Sequence, residues 1–260
     1  MRNNLRIYLA GVRTALASRM AYRGDYFLSI LIMLLVEMAA PLITILIYGN
    51  GASFPGWSMY EALLIQGVFL LGKGIAYPFF FGIVWNTVER VRGGTFDLLM
   101  IKPKSALFMA IVTGFDAEDL GKLIGGATLF MLALRRLPPP GVGQWLQFLA
   151  LFLITLLTLF AYGVTLAGIG IVWIGNIRVY DIFNSLTNFG LYPAAIFSKP
   201  VQTVITGIIP IAILGSVPAT VLLGRPSPGT WRAVGVSFLF LAGSLSFWRA
   251  MLKKYTSAGG

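Results

Sequence analysis

Long apolar stretches alternate with short polar ones along the whole chain. A transmembrane helix needs roughly 20 consecutive, mostly apolar residues, so each long stretch has room for one crossing. The pattern predicts an all-α, polytopic membrane protein with six transmembrane helices in a single domain over residues 1–260. The predicted spans lie near residues 26–49, 61–85, 120–134, 144–173, 182–197 and 231–252.

Two further segments do not fit a straight crossing. Residues 1–24 predict an amphipathic helix lying in the membrane interface, with an ordinary solvated helix as the alternative. In residues 199–224, Pro200, Pro210 and Pro218 interrupt an apolar run, which predicts a re-entrant outer segment before the last span. The predicted apolar face of the N-terminal helix consists of Leu5, Tyr8, Leu9, Val12 and Leu16, with Arg6 and Arg13 beside it.

Composition and charge agree with a membrane protein. Of the 260 residues, 57% are hydrophobic and 11% are charged, whereas a soluble domain has about 25% charged residues. The net charge of +11 does not indicate nucleic-acid binding, because the Lys and Arg residues lie mainly between apolar runs and at the chain ends. Cations in that arrangement favour the cytoplasmic side, so we expect both termini there, in a bacterial-type inner (plasma) membrane.

Few side chains of this sequence suit catalysis or metal binding. Cysteine and histidine are absent, which excludes disulfides, thiolate metal sites and the commonest general base. Residues 67–73 resemble a phosphate-binding loop, but Gly74 stands where a hydroxyl residue belongs and no strand precedes the segment. The carboxylates of Asp116, Glu118 and Asp119 suit a helix entrance better than a metal ion. We therefore expect no catalytic residue, no metal and no cofactor in this chain.

Two charges fall in the middle of predicted spans. Glu37 and Lys73 each lie about twelve residues from the ends of their helices, so antiparallel neighbours would bring both to the bilayer midplane. An unpaired charge there costs about 2.5 to 3.5 kcal/mol, so each needs a partner or a wet cavity. Two interpretations stay open: a structural ion pair, or side chains that line the path of a polar substrate.

The predicted cytoplasmic segment 86–105 carries both charge signs around a glycine pair. Such a surface suits docking to a soluble partner, whereas the alternative is a plain loop whose positive charges set the topology. The residues that we assign to coupling with a partner are Glu89, Arg90, Arg92, Gly93 and Asp97.

Several motifs occur together in an order typical of one family. They are the basic N-terminal helix, the segment 89–97 followed by Leu98, Leu99 and Pro103, and the late run 192–197. After that run come Pro210, Pro218 and Ala219, followed by Leu222, Leu223 and Gly224. Over nearly its full length the chain resembles the six-span permeases of type-2 ABC exporters, in the branch of single-domain subunits.

The resemblance implies a mechanism without covalent chemistry in this chain. Two permease subunits, identical or similar, would each contact a separate cytoplasmic ATPase that binds ATP and Mg²⁺. The coupling segment would transmit the motion of the ATPase, and Tyr192, Pro193, Pro210 and Pro218 would form an outer gate. The acidic run at residues 116–119 has no counterpart in the family pattern.

Two other functions are compatible with the sequence. An ion-gradient-driven secondary transporter or channel would use buried ionisable groups, of which Glu37 and Lys73 are the candidates. A membrane enzyme acting on lipids would need a catalytic cluster, for which only the carboxylates at residues 116–119 remain. The substrate classes that fit an exporter are an apolar or amphiphilic cation, a drug-like compound or a lipid.

Overall fold

The computed structural model describes residues 2–173, 177–226 and 229–256, and in these ranges the chain contains helices and no strand. Met1 and residues 257–260, at the ends of the predicted domain, lie outside the described residues. The all-α prediction is confirmed. The α-helices are α1 (Arg2–Met20), α2 (Arg23–Glu37), α3 (Ala39–Gly49), α4 (Met59–Ala76), α5 (Ile83–Arg92), α6 (Asp97–Met100), α7 (Ala106–Thr113), α8 (Leu120–Leu134), α9 (Val142–Val172), α10 (Ile177–Thr187), α11 (Lys199–Gly207), α12 (Ser216–Leu222) and α13 (Thr230–Lys254).

Within the described ranges, four helical segments are long and apolar enough to cross a membrane. The apolar helix α8 is shorter, and the count of six spans stays a prediction. We call the end of the bundle that holds α1, α5 to α7 and the last residues of α13 the basic face. The end with the turns at residues 50–58 and 135–141 is the opposite face. The four long segments are Arg23–Gly49, Met59–Arg92, Val142–Val172 and Thr230–Lys254.

The first long segment is interrupted at Met38, where α2 ends and α3 begins. Pro41 has no N–H, so it cannot donate the helical hydrogen bond that the Glu37 carbonyl would accept. The break falls three residues before this proline. As a result, Glu37 occupies the last position of α2, halfway along the apolar segment.

The second long segment starts at a capping box. The Ser58 hydroxyl accepts from the Glu61 N–H at 3.3 Å, and the Ser58 N–H donates to Glu61 Oε2 at 2.8 Å. The segment continues to Arg92, seven residues beyond the predicted end at Trp85. The helix thus continues into the predicted coupling segment 86–105, because the buried Thr87 and Val91 lie on one face of it.

A single π-helical turn, Tyr77–Phe81, separates α4 from α5. Pro78 lies in this turn, and the wider spacing frees backbone carbonyls that a regular helix would satisfy. The Asp116 N–H donates to the Pro78 carbonyl at 3.1 Å, and the Tyr8 hydroxyl donates to the Phe79 carbonyl at 2.7 Å. The turn thus connects the second long segment to α1 and to the residues before α8.

Glycines let α8 approach α4 and α2 at backbone distance. A Cβ on Gly126 would lie 2.5 Å from the Leu70 carbonyl carbon, and one on Gly67 would lie 2.8 Å from Phe130 Cα. Gly121 similarly faces the Ile30 carbonyl, and Gly125 lies four residues further along the same side of α8. Small residues at this spacing are typical of helix contacts in membranes.

The predicted fifth crossing at residues 182–197 is not one continuous helix. Helix α10 ends at Thr187, and two short 3₁₀ turns follow. Beyond them, α11 and α12 are short helices, as the prolines predict, and residues 210–222 are all buried. The Thr155 hydroxyl donates to the Ile213 carbonyl at 2.5 Å, which satisfies irregular backbone inside the protein. The re-entrant path itself stays a prediction.

The N-terminal helix α1 packs against α7 and α2 at the basic face. Tyr8, Val12 and Leu16 are partly buried, whereas Leu5 and Leu9 on the adjoining side are exposed. Gly11 lies against the backbone of Val112 in α7. Arg19 forms an ion pair of 2.5 Å with Glu118. The interfacial position of α1 remains a prediction, and its docking on the bundle fixes its orientation.

Candidate functional site

The two mid-span charges lie together. Lys73 Nζ is 3.1 Å from Glu37 Oε1, and the side chains are 9% and 12% exposed. Each lies near the centre of a helical segment that is long enough to cross a membrane. The ammonium also lies 5.5 Å from the ring centroid of Phe69 and 5.3 Å from that of Tyr77. Lys73 is therefore neutralised by one carboxylate and surrounded by aromatic faces.

A second ion pair borders the same tyrosine. Lys122, in the first turn of α8, pairs with Asp119. Its ammonium lies 4.4 Å from the ring centroid of Tyr77. We call Glu37, Lys73, Tyr77, Asp119 and Lys122 the charge cluster. The cluster contains two cations and two carboxylates, so its net charge is zero.

Tyr77 lies between the two pairs because of the π-helical turn that begins at this residue. Its ring stacks on Phe81 at a centroid distance of 4.4 Å and an interplanar angle of 6°. Tyr180 of α10 lies within electrostatic range of Tyr77, so α10 borders the cluster. Lys73 of α4 and Lys122 of α8 both lie against the Tyr77 ring.

The charged groups of the cluster and of the neighbouring acidic run have partners within the described chain. Burial raises the pKa of Asp119, and the neighbouring Lys122 opposes that shift. The three carboxylates at residues 116–119 have separate partners: Glu118 pairs with Arg19, Asp119 pairs with Lys122, and Asp116 accepts the Glu118 N–H at 3.0 Å. Among the described residues no three metal-ligating side chains converge. Gly67 and Lys73 lie within one helix, where no phosphate-binding loop forms.

The predicted coupling residues lie at the end of the second long segment and directly after it. Glu89, Arg90 and Arg92 lie in the last turns of α5, and Gly93 follows as its C-cap. Gly94 has a φ of +65°, a conformation that suits glycine and turns the chain into α6. Asp97 begins α6 and lies beside the Tyr255 hydroxyl, where burial and then the Asp97 carboxylate raise the pKa of Tyr255.

The short helix α6 has a buried side and an exposed side. Phe96 and Leu99 are at most 1% exposed, and the Phe96 ring meets the Tyr255 ring at 5.1 Å. In contrast, Leu98, Met100 and Ile101 are 53%, 46% and 78% exposed. The buried pair anchors α6 to the bundle and leaves three apolar side chains outside. We call Leu98, Met100 and Ile101 the apolar tip.

Arg90 connects the coupling segment to α7. Its Nε donates to Asn86 Oδ1 at 2.8 Å, and Asn86 Nδ2 donates to the Ala110 carbonyl at 2.8 Å and to the Thr113 hydroxyl at 2.7 Å. Glu89 and Arg92 are exposed. Glu89 also borders a polar cavity of about 330 Å³, whose walls include Arg19, Asn86, Thr113 and Asp116.

The predicted gate residues lie near the opposite face. The Tyr192 ring meets the Phe54 ring edge-on at 5.8 Å, and Pro193, Pro210 and Pro218 are buried. The Ala194 N–H donates to the Ser216 hydroxyl at 3.2 Å, which joins the run 192–197 to α12. Tyr192 and the three prolines thus belong to neighbouring segments, and their action as a gate stays a prediction.

Sequence reasoning missed three members of the charge cluster. Asp119 was assigned to a helix entrance, and Tyr77 and Lys122 were assigned no role. The available signal was the spacing of Gly121 and Gly125, which indicates a close helix contact directly beside Lys122. Pro78 in the middle of a predicted span was a second signal, because prolines there accompany local changes of helix type.

Comparison with known proteins identifies the family of this chain. A comparison with curated proteins gives no match. The sequence pattern of the ABC-2 family transporter proteins matches residues 31–259, which is most of the chain. This range includes the charge cluster, the coupling residues and the predicted gate. The protein is therefore a member of the ABC-2 transporter family, a membrane transport permease built from apolar helices.

Proposed function

We propose that the chain is the transmembrane subunit of an ATP-driven exporter, which forms the substrate path and is coupled to a separate cytoplasmic ATPase. The observation that carries this proposal is the apolar tip. Three large apolar side chains lie exposed shortly after the end of a 34-residue segment that passes the charge cluster. Exposed apolar groups that follow a charged helix end are typical of a site that a partner covers.

The geometry supports transmission of motion from this tip into the bundle. Phe96 and Leu99 are buried, so a partner that moves the tip also displaces the packed side of α6. Arg90 and Asn86 carry the displacement to α7, and the helical segment carries it towards Lys73. Packed elements of this kind shift as units because protein interiors do not deform continuously.

The proposed arrangement in the membrane follows from charge. Six crossings with both termini in the cytoplasm would place the basic face on the inner side of the plasma membrane, as the positive-inside bias requires. The segment 199–224 would then cap the outer side. A second permease subunit, the same or similar, would complete the path, and ATP with Mg²⁺ would bind to the partner ATPase.

The charge cluster offers a second candidate function. Buried ionisable groups are also used by ion-gradient-driven transporters and channels, and the two ion pairs at Tyr77 are such groups. Under that alternative the chain would transport without an ATPase. The apolar tip favours the first proposal, because a self-sufficient transporter has no need for an exposed apolar contact on its basic face.

A matched pair of substitutions tests the proposal. Ile101 and Val142 are each 78% exposed, but they lie on the basic and opposite faces respectively. We expect Ile101→Asp to abolish co-purification of an ATP-hydrolysing chain and the ATPase activity of the complex, since a charge would be buried at the contact. Val142→Asp should leave both unchanged. Equal ATPase recovery with the two variants, or none with the unaltered protein, would contradict the proposal.

A further inference from the structure

An apolar groove lies between α1 and α9, separate from the charge cluster and from the apolar tip. Its volume is about 550 Å³, within the range of sites that hold small ligands. Leu153 and Leu157 on its rim are 61% and 40% exposed. The walls of the groove consist of Tyr8, Phe79, Phe80, Ile111, Leu153, Leu156, Leu157 and Phe160.

Fixed contacts shape this groove. The Tyr8 hydroxyl is held by the Phe79 carbonyl at 2.7 Å, and the rings of Phe80 and Phe160 meet edge-on at 5.9 Å. Gly11 of α1 lies against the backbone of Val112. The wall that α1 contributes is therefore docked on the bundle and positioned before any ligand binds.

The charged residues of α1 are all arginines. This helix contains no carboxylate, and Arg19 is already paired with Glu118. Arg6 and Arg13 are exposed and form no ion pair with any residue that the structure describes. The exposed Leu9 lies one helical turn from each of them, next to Tyr8. Going around α1, the groove wall is thus followed by an apolar side and then by two free cations.

We propose that this groove binds an anionic phospholipid, with an acyl chain against Leu156 and Phe160 and the headgroup phosphate at Arg6 and Arg13. The acyl chain alone does not select a particular lipid, since the surrounding bilayer is equally apolar. The headgroup supplies it: each arginine near a membrane surface favours an anionic lipid by roughly fivefold, and two favour it by about 30-fold.

The test compares phosphatidylglycerol with phosphatidylcholine, both with dioleoyl chains, by titration of the purified full chain and native mass spectrometry. We expect phosphatidylglycerol to bind at least about 10-fold more tightly. Arg6→Gln with Arg13→Gln should reduce the preference to near one. The matched control, Arg135→Gln with Arg136→Gln, removes the same charge from two exposed residues of the opposite face and should keep the preference.

The groove is tested independently of the arginines. Leu156→Trp fills it, whereas Leu146→Trp alters an exposed position of the same helix outside it. We expect only Leu156→Trp to lose bound phosphatidylglycerol. Glycerol phosphate without acyl chains should not compete. Equal binding of the two lipids by the unaltered chain, equal binding by the two tryptophan variants, or full competition by glycerol phosphate would overturn the proposal.

Discussion

Lys73 of α4 and Glu37 of α2 form an ion pair of 3.1 Å between the middle parts of two apolar helical segments. Glu37 is the last residue of α2 and lies directly before the break at Met38. Each charge would be costly alone in an apolar environment, so the pair holds α2 and α4 together. The second pair, Lys122 with Asp119, extends this connection to α8 across the Tyr77 ring.

Removing one charge of the Glu37–Lys73 pair should destabilise the protein more than removing both. We expect Glu37→Gln or Lys73→Met alone to cost about 3 to 5 kcal/mol, because a buried charge is left unpaired. The double variant should recover most of that loss. Thermal unfolding in detergent measures all three. A double variant as unstable as the worse single variant would show that the two residues do not act as a pair.

Transport by the same double variant separates the two interpretations of the pair. If the pair only locks two helices, the folded double variant should transport normally. If the pair lines the path of a polar substrate, the double variant should fold but lose transport. The comparison is valid only with equal amounts of folded protein, which size-exclusion chromatography establishes.

The contact between α4 and α8 should not accept a side chain at Gly74. A Cβ there would meet the backbone of Leu123, so we expect Gly74→Val to cost about 3 kcal/mol or more, or to prevent folding. A Cβ on Gly235 of α13 would meet no other described part of the chain within 4 Å, so Gly235 provides the control. Gly235→Val should fold with nearly unchanged thermal stability. Similar folded yields of the two variants would contradict the close packing of these helices.

On the opposite face, Glu61 should matter more than its ion-pair partner Arg225. Their atoms are 3.1 Å apart, but Arg225 is 59% exposed and Glu61 only 12%. We expect Arg225→Gln to cost less than about 1 kcal/mol. Glu61→Ala also removes the hydrogen bond to the Ser58 N–H, so it should cost about 1 to 2 kcal/mol. Thermal unfolding measures the loss of stability in both variants. A larger loss with Arg225→Gln than with Glu61→Ala would contradict this prediction.

The docking of α1 should weaken at alkaline pH. Burial raises the pKa of Tyr8 to about 12, above the ordinary value of about 10. The neutral Tyr8 hydroxyl therefore stabilises the docking of α1 fully below about pH 10. This stabilisation is lost as the pH rises from about 10 to 12. A spin label on Thr14→Cys, a single site because the chain has no cysteine, should gain mobility over this interval. Tyr8→Phe should remove the pH dependence of that mobility.

The sequence predicts the helical architecture well where apolar runs end in charges or caps. The helices α8 and α13 begin and end within a few residues of the prediction, and the break in the first long segment follows from Pro41. Depth along the helices also predicted that Glu37 and Lys73 would be neighbours.

Other features depend on contacts that no local pattern contains. The predicted second span ended at Trp85, because the charges from Glu89 to Arg92 mask the buried face of Thr87 and Val91 that continues the helix. Lys122 and Tyr77 meet only because α4 and α8 approach closely at glycines and because a π-helical turn begins at Tyr77. The path of residues 182–224 depends on backbone hydrogen bonds such as that of Thr155 to Ile213.

In the proposed function, a separate ATPase drives this chain through the apolar tip. The most direct test is uptake of a fluorescent amphiphilic cation into sealed vesicles that contain this chain with and without the ATPase that purifies with it. We predict uphill transport only when both chains and ATP with Mg²⁺ are present, and its loss with Ile101→Asp. Uphill transport by this chain alone, without nucleotide, would contradict the account.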